Sequence, residues 1–317
     1  MVPKKKKRFY PSVITLLVCC AVVAGVSVRE GRELPYGIVR AVLFAACGPV
    51  YTVSSAEPEA DVSESEPETG PVFERTITTA ALSSDGLYIS NLAKTEVDIP
   101  ELLTMPEERN GKTVLILHTH GCESYTPTKK YNYKPDEDFR TTDTDFNVVR
   151  VGNEIEKQLV GHGITVIHDA TLCDYPSFND SYTNSRALAE KYLAENPDIG
   201  IILDVHRDSI AGENGEQIKT VGAENTSQLM FVVGTDAGGA DHPLWRQNLS
   251  LALRLQRQII AKYPKLMRPI NLRRQGFNQQ LSTGSLILEV GCDGNTLEEA
   301  LNAARIFGDE LGKYLSQ

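Results

Sequence analysis

The chain has six cysteines among its 317 residues, but no two of them are spaced as a CxxC pair. Two lie in an N-terminal apolar run, one in a second apolar stretch, and three are scattered, so neither a zinc ribbon nor a disulfide scaffold is indicated. The chain also lacks a broad basic surface, because its formal net charge is −10. We therefore expect no nucleic-acid partner.

The N-terminus shows the sharpest contrast of charge and hydropathy. Five cations at residues 4–8 precede an apolar run at residues 13–28. With residues 10–12 added, this run approaches the roughly 20 residues that cross a bilayer. Basic residues before an apolar span tend to stay in the cytoplasm, so the rest of the chain is expected on the other side of the membrane. A cleaved signal peptide and a buried helix are the alternatives.

Two further segments separate this span from the body of the chain. Residues 35–53 are apolar but contain Arg40, two prolines and two glycines. An arginine at mid-bilayer costs roughly 2.5–3.5 kcal/mol on insertion scales, so we expect this stretch to be interfacial or packed rather than spanning. Residues 54–70 hold six acidic residues, two prolines and no cation, which predicts a disordered tether.

Buried-strand patterns alternate with amphipathic helical patterns over most of the remaining sequence. Apolar strands separated by helices of this length indicate an α/β fold, in which a mostly parallel central sheet has helices on both faces. The strands are predicted at residues 113–119, 164–168, 199–205, 229–234 and 285–290. The helices are predicted at residues 147–161, 184–195, 244–262 and 297–315.

The predicted organisation has six parts. They are a cytoplasmic basic tail at 1–9, a transmembrane anchor at 10–30, an apolar interfacial or packed segment at 31–53, an acidic disordered linker at 54–72, a short accessory region at 73–109 and the main α/β domain at 110–317.

Three of the predicted strands end on residues that carry chemistry. In such sheets, ligands collect where strands end and loops begin. Any one of these residues alone is more often structural, but the combination indicates a metal site. The residues are His118, His120 and Glu123 at the end of the first strand, Asp204, His206, Arg207 and Asp208 at the third, and Glu289 in the last.

The histidines and one glutamate have the composition of a catalytic zinc site. Two imidazoles and one carboxylate are a known ligand set for Zn²⁺, and a fourth position is left for water. His120 and Glu123 form a short H-x-x-E pair, and His206 supplies a third ligand from a distant strand. His118 is an alternative to His120, because residues two apart on a strand share a face. Zn²⁺ is therefore the predicted cofactor.

Glu289 is the candidate catalytic residue. Beside such a metal, a carboxylate takes the proton of the attacking water and hands it to the leaving amine, although a structural salt bridge is the alternative. Arg207 is the candidate for binding a substrate carboxylate, with a bridge to Asp204 or Asp208 equally expected. Cys122 is not expected to be a nucleophile, because no group that would stabilise an oxyanion accompanies it in the sequence.

Four separated segments resemble the motifs of a known family. HTHGCESY, NVVRVGNEI, LDVHRD and FNQQLSTGSLILEVGCDGNTLEEA are similar to those of stage II sporulation protein P, a membrane-anchored peptidoglycan hydrolase of endospore-forming bacteria. The resemblance covers residues 113–315. It implies a phosphorylase/hydrolase-like α/β sheet of the zinc amidase type. It also implies that residues 110–317 cleave the N-acetylmuramoyl-L-alanine amide bond of peptidoglycan, and peptide cross-links as well.

The resemblance also carries roles, partners and a location. His120 and His206 match the zinc histidines of the related amidases, and Glu289 matches their catalytic glutamate. Asp143 is an alternative to Glu123, because those relatives often take their acidic ligand from just before the first helix. The family acts in engulfment with stage II sporulation proteins D and M, outside the mother-cell membrane, which agrees with the predicted single-pass anchor.

Two other functions use the same residues. A metallocarboxypeptidase or small-molecule amidohydrolase would keep the fold and change the substrate, and Arg207 is the residue that favours it. A catalytically inactive tethered module would only hold cell wall or partner proteins. The complete set of candidate catalytic residues argues against the inactive module.

Overall fold

The computed structural model describes residues 72–109, 111–136, 138–213 and 216–317. The predicted basic tail, membrane anchor and second apolar segment lie outside these residues, as does the linker up to residue 71. Within the described ranges, no helix combines the length and the apolar content needed to span a bilayer.

Ten strands are found in the described part of the chain, and eight of them form one central sheet. Its strand order is β2-β3-β9-β8-β10-β6-β4-β5, while β1 and β7 pair separately in parallel. The strands are β1 (Val72–Arg75), β2 (Leu82–Ser84), β3 (Leu87–Asn91), β4 (Thr113–Leu117), β5 (Val166–His168), β6 (Ile199–Asp208), β7 (Gln217–Thr220), β8 (Leu229–Gly234), β9 (Ile270–Arg273) and β10 (Ser285–Cys292).

The central sheet is mixed but mostly parallel. Among the described strands, β5, β4, β6 and β10 run in one direction, and β8, β9 and β3 run in the other. The two sets meet at the antiparallel pair β8 and β10, and β2 joins β3 as an antiparallel hairpin. The prediction of an α/β fold with a mostly parallel sheet is therefore confirmed, with an antiparallel junction that the sequence pattern did not indicate.

Helices cover both faces of this sheet, as predicted. The five α-helices of the described ranges are α1 (Ile99–Thr104), α2 (Val148–Gly161), α3 (Ser181–Glu195), α4 (Trp245–Lys262) and α5 (Leu297–Leu315). Successive side chains of a strand point to opposite faces. In β4, Val114 belongs to the core cluster that contains Ile155 of α2, whereas Leu115 packs with Ala189 of α3. Helices α4 and α5 contribute to the same cluster as α2.

Helix α2 explains one of the quoted motifs. Asn147 caps its N-terminus by accepting a hydrogen bond from the Val149 N–H at 3.0 Å. Gly152 lets the helix approach the ends of β4 and β5, because a Cβ there would lie 2.8 Å from His168 Nε2 and 2.9 Å from His118 Nε2. The motif NVVRVGNEI therefore serves the packing of α2 against two histidines.

The predicted accessory region 73–109 is joined to the central sheet. Its hairpin, β2 and β3, forms one end of that sheet through the pairing of β3 with β9. Helix α1 contacts α4, where the Ser250 hydroxyl donates to the Leu102 carbonyl at 2.7 Å. The region therefore shares one sheet with the residues after 110.

Candidate active site

Three adjacent parallel strands place the candidate residues at one edge of the sheet. In the order β10, β6, β4, the carboxyl ends of all three strands lie side by side. Glu289 of β10 is the register partner of His206 in β6. Because register partners in a parallel pair present their side chains on the same face, the carboxyl of Glu289 and the imidazole of His206 are neighbours.

The structure brings the three predicted ligands together. His206 Nδ1 lies 3.4 Å from Glu123 Oε2, and the His206 and His120 ring centroids are 5.3 Å apart with an interplanar angle of 89°. On its other side, His206 Nε2 lies 3.0 Å from Asp204 Oδ1, which is within ion-pair distance but misaligned for a hydrogen bond. His206 is thus held between two carboxylates.

The charges of these groups depend on one another. Burial alone would raise the pKa of Glu123, but the hydrogen bond and charge of His206 lower that pKa to about 2. Burial alone would lower the pKa of His206, but Asp204 and Glu123 raise it well above its usual value. His206 is therefore a protonated imidazolium, and Glu123 beside it is an ionised carboxylate. Burial lowers the pKa of His120, which keeps its imidazole neutral at neutral pH.

Arg207 is buried and holds the loop that carries Glu123. Its backbone N–H donates to Glu123 Oε2 at 3.1 Å, and its Nε–H donates to the Ser124 carbonyl at 3.0 Å. Its Nη2 donates to the carbonyls of Asp138 and Phe139 at 2.7 and 3.1 Å. The guanidinium thus joins two loops at the site. Contact of Arg207 with a substrate stays a prediction.

Glu289 is partly buried beside His206. Its Oε2 is fully buried and has no hydrogen-bond partner among the described residues. Burial, together with the charges of Asp208 and Glu123, raises the pKa of Glu289 to about 8, although His206 acts in the opposite direction. No described residue forms a salt bridge with it, so the geometry resembles that of a general base more than that of a structural ion pair.

Replacing Glu289 with Gln is expected to stabilise the metal-free protein, and more so as the pH rises. Below the unfolded-state pKa of 4.5, the carboxyl is neutral in both states and the substitution removes no penalty. Between 4.5 and about 8, the unfolded carboxyl ionises while the folded one stays neutral, so the folded state loses stability. The gain from E289Q should reach a few kcal/mol near pH 8, measured by denaturant unfolding at pH 4 and pH 8 with chelator present.

Glu310→Gln is a matched control with the opposite sign. The Glu310 carboxylate is fully buried on α5 and accepts hydrogen bonds from Lys262 and Lys313, both at 2.9 Å. Burial alone would raise its pKa, but these ammonium groups lower it, so E310Q should destabilise the protein at pH 8. Equal effects of E289Q at pH 4 and pH 8 would contradict the assigned protonation of Glu289.

The two alternative ligands occupy different surroundings. His118 is completely buried, with Nδ1 3.1 Å from the Val205 carbonyl oxygen and Nε2 2.9 Å from His168 Nε2. Burial and the neighbouring His168 lower its pKa to about 3. Asp143 is exposed, and its Oδ1 accepts the Asp145 N–H at 3.1 Å. Both nitrogens of His118 therefore have protein partners, whereas His120 Nδ1 is buried without one.

Sequence reasoning missed several residues that contact the site. The Phe178 ring stacks on His120 with centroids 4.5 Å apart and an interplanar angle of 7°, and Tyr182 meets His120 edge-on at 5.5 Å. Asp174 accepts hydrogen bonds from the Cys122 N–H at 3.2 and 3.3 Å. These residues follow β5 and carry no motif that links them to the other strand ends. Burial and Asp174 raise the pKa of Cys122 to about 12, so its thiol is protonated and a poor nucleophile.

The donor set fits a zinc ion in its chemistry. In the described ranges, no three His, Cys, Asp or Glu side chains are arranged to enclose a metal. The 3.4 Å between His206 Nδ1 and Glu123 Oε2 is nevertheless close to the distance of roughly 3.3 Å between two ligands of a tetrahedral ion with bonds of about 2.0 Å. Both groups bind metals in their deprotonated forms, so a divalent cation can replace the proton between them.

Comparison with known sequences establishes the family. The profile of Stage II sporulation protein P (SpoIIP) matches residues 52–311. The chain belongs to the stage II sporulation protein P family. Stage II sporulation protein P of Bacillus subtilis (strain 168) is 29% identical over 295 residues, which are 88% of this chain and 67% of that relative. The family resemblance predicted from four motifs is thereby confirmed.

The similarity of this chain to solved structures is lower than its similarity to the Bacillus subtilis relative. N-acetylmuramoyl-L-alanine amidase AmiC2 of Nostoc punctiforme is 12% identical with a TM-score of 0.37, covering 66% of this chain and 99% of that one. The CwlD amidase from Clostridioides difficile, solved in complex with the GerS lipoprotein, is 15% identical with a TM-score of 0.37, covering 65% and 99%. At this level of similarity, no residue role is transferred to the chain.

Proposed function

We propose that this protein is a zinc-dependent peptidoglycan hydrolase that cleaves the N-acetylmuramoyl-L-alanine amide bond, and peptide cross-links in addition. The observation that carries the proposal is the meeting of His120, Glu123 and His206 with Glu289 at the edge shared by β4, β6 and β10. Membership in the stage II sporulation protein P family supports a role in cell-wall hydrolysis during sporulation. The fold of the zinc amidase type is part of the same proposal.

The proposed mechanism assigns one task to each group of residues. His120, Glu123 and His206 would hold the zinc, with Asp204 fixing the His206 ring from its other side. When bound, zinc supplies a Lewis acid for the scissile carbonyl and lowers the pKa of water. Glu289 takes the proton of the attacking water and transfers it to the leaving amine nitrogen. Glu289 accepts the proton in its ionised form, which the charge of a bound zinc ion would favour over the neutral form of the metal-free protein. Once ionised, this buried carboxylate is a stronger base than an exposed one.

The proposal includes placement at a membrane. We propose that residues 10–30 anchor the chain in the cell membrane as a single span, with the catalytic domain at 110–317 on the outer, mother-cell side of the engulfing septum. The five cations before the apolar run support this orientation, and the acidic linker at 54–72 gives the domain reach. Peptidoglycan is the proposed substrate, and stage II sporulation proteins D and M are the proposed partners.

Digestion of purified peptidoglycan by the full chain in detergent tests this function. We expect released stem peptides with a free L-alanine amino group, no release with a chelator, and recovery when Zn²⁺ is restored. Mass spectrometry of the products identifies the cut bond. Release that persists after complete metal removal would contradict the zinc mechanism, and products cut only at cross-links would replace the amidase assignment with an endopeptidase one.

The same assay separates the alternative functions. A metallocarboxypeptidase would shorten free peptides and leave the wall intact. The Arg207 guanidinium that favoured it donates to the backbone carbonyls of Ser124, Asp138 and Phe139. An inactive module would bind the wall and release nothing, and its binding would survive Glu289→Gln.

A further inference from the structure

His120 differs from His206 in how its ring is held. A metal-binding histidine usually donates its other ring N–H to a carboxylate, a carbonyl or water, and this contact fixes the ring orientation. The His206 ring has the Asp204 carboxylate 3.0 Å from its Nε2, which is within ion-pair distance although misaligned for a hydrogen bond. His120 makes no side-chain hydrogen bond to any described residue, and its Nδ1 is fully buried. Among the described residues, the contacts of the His120 ring are ring contacts.

Aromatic packing supplies that orientation. Phe178 lies parallel to the imidazole, at an interplanar angle of 7° and a centroid distance of 4.5 Å. Tyr182 and His206 meet the same imidazole edge-on, at 5.5 and 5.3 Å and angles of 89°. Stacked and edge-to-face arrangements are favoured geometries for such rings, and they add stabilisation beyond burial. Turning the His120 ring out of this plane would lose the stacked contact.

Phe178 is itself held by a chain of contacts that returns to the His120 loop. The Arg140 guanidinium carbon lies over the Phe178 ring, 4.9 Å from its centroid. Arg140 Nη2 donates to Asp174 Oδ2 at 2.5 Å, and the Asp174 carboxylate accepts the Cys122 N–H. Because Cys122 is two residues from His120, the Phe178 ring and the metal-binding loop are fixed relative to each other.

The exposure of Phe178 argues against a role in the core. Phe178 is 54% exposed, although its ring is large and apolar. A phenylalanine this exposed contributes less to the core than a buried one, and its ring contacts are the stack on His120 and the Arg140 guanidinium. Tyr175 lies in the same loop, is 62% exposed, and makes no ring contact with His120. Phe178 and Tyr175 are therefore similarly exposed, but only Phe178 stacks on the His120 ring.

We propose that Phe178 is a positioning residue, which fixes the His120 imidazole for zinc binding by stacking in place of the usual hydrogen bond. The proposal rests on the zinc site of the proposed function. It predicts that zinc affinity depends on an aromatic ring at position 178. Substrate affinity is set elsewhere and does not depend on that ring.

Zinc affinity of Phe178 variants tests this role. In the full chain, Phe178→Ala should lower the affinity for Zn²⁺ by roughly 10- to 100-fold, as loss of an outer partner of a ligand does. Competition with a chromophoric chelator measures this without any activity assay. Phe178→Tyr should restore the affinity, because it keeps the ring. Tyr175→Ala is the matched control and should bind zinc like the wild type.

Kinetics and folding complete the test. At limiting zinc, Phe178→Ala should lower kcat with KM unchanged. Wild-type zinc affinity in Phe178→Ala overturns the proposal, and so does a raised KM with unchanged affinity, which makes Phe178 a substrate contact. If Phe178→Ala does not fold, Phe178→Leu provides the same comparison with apolar volume retained. If the wild-type protein binds no zinc, the proposed function is refuted. If the wild-type protein binds zinc and Phe178→Ala binds it equally well, only the role of Phe178 is refuted.

Discussion

Replacing Glu289 with Gln is expected to slow peptidoglycan hydrolysis by about 10²–10⁴-fold, the usual contribution of a general acid–base group. Gln keeps the size and hydrogen-bonding shape of the side chain but accepts no proton from water. In β10, the residue is the register partner of His206, so the lost proton acceptor is the one adjacent to the proposed metal. The rate of stem-peptide release at saturating zinc is the measurement.

The same substitution should leave the zinc affinity and fold intact. Glu289 is not a proposed ligand, so chelator competition with E289Q should match the wild type. Loss of activity should accompany the higher metal-free stability at pH 8, because one buried carboxyl causes both effects. Glu310→Gln, far along α5, should keep its activity while losing stability. Retention of more than a tenth of the wild-type rate in E289Q would remove Glu289 from the mechanism.

Long periodic segments allowed the main elements to be predicted. The helix at 297–315 and the strand at 229–234 match the structure at both ends, because a capping box at Thr296 and Glu299 and a continuous apolar run mark them. The strands β7 and β9 were missed. Each has four residues and alternates buried with partly exposed positions, as in QIKT and INLR, and this is too short a pattern to distinguish from a loop.

The sequence predicted which residue types meet at the site, but not the contacts that each of them makes. His120, His206 and Glu289 follow from polar residues at strand ends, since parallel neighbours end at one edge. The choice between His118 and His120 could not follow, because it depends on the Val205 carbonyl and on His168 of another strand. Every residue has a backbone carbonyl, so the sequence does not indicate which carbonyls accept a hydrogen bond. The partners of the Arg207 guanidinium could therefore not be predicted either.

His206→Ala is expected to reduce zinc affinity by more than the roughly 10- to 100-fold that outer partners contribute, and to abolish hydrolysis. The substitution removes a proposed ligand that links two carboxylates. It also leaves Glu123 and Asp204 buried without the imidazolium between them, at 3.4 and 3.0 Å in the wild type. Unpaired buried charge is costly, so the metal-free variant should be less stable, and more so at neutral pH than at pH 4. Metal content per chain and denaturant unfolding measure the two effects.

Paired alanine variants of the two neighbouring histidines show whether this loss is specific to ligands. His120→Ala should lose zinc as His206→Ala does, because the His120 imidazole lies beside His206 and has a buried nitrogen without a partner. His118→Ala should keep one zinc per chain and instead lose stability, since both of its nitrogens contact other groups of the core. Zinc lost from His118→Ala and retained by His120→Ala would reverse the assignment. It would place the metal beside His168, where Gly152 of α2 lies close to His118 and His168.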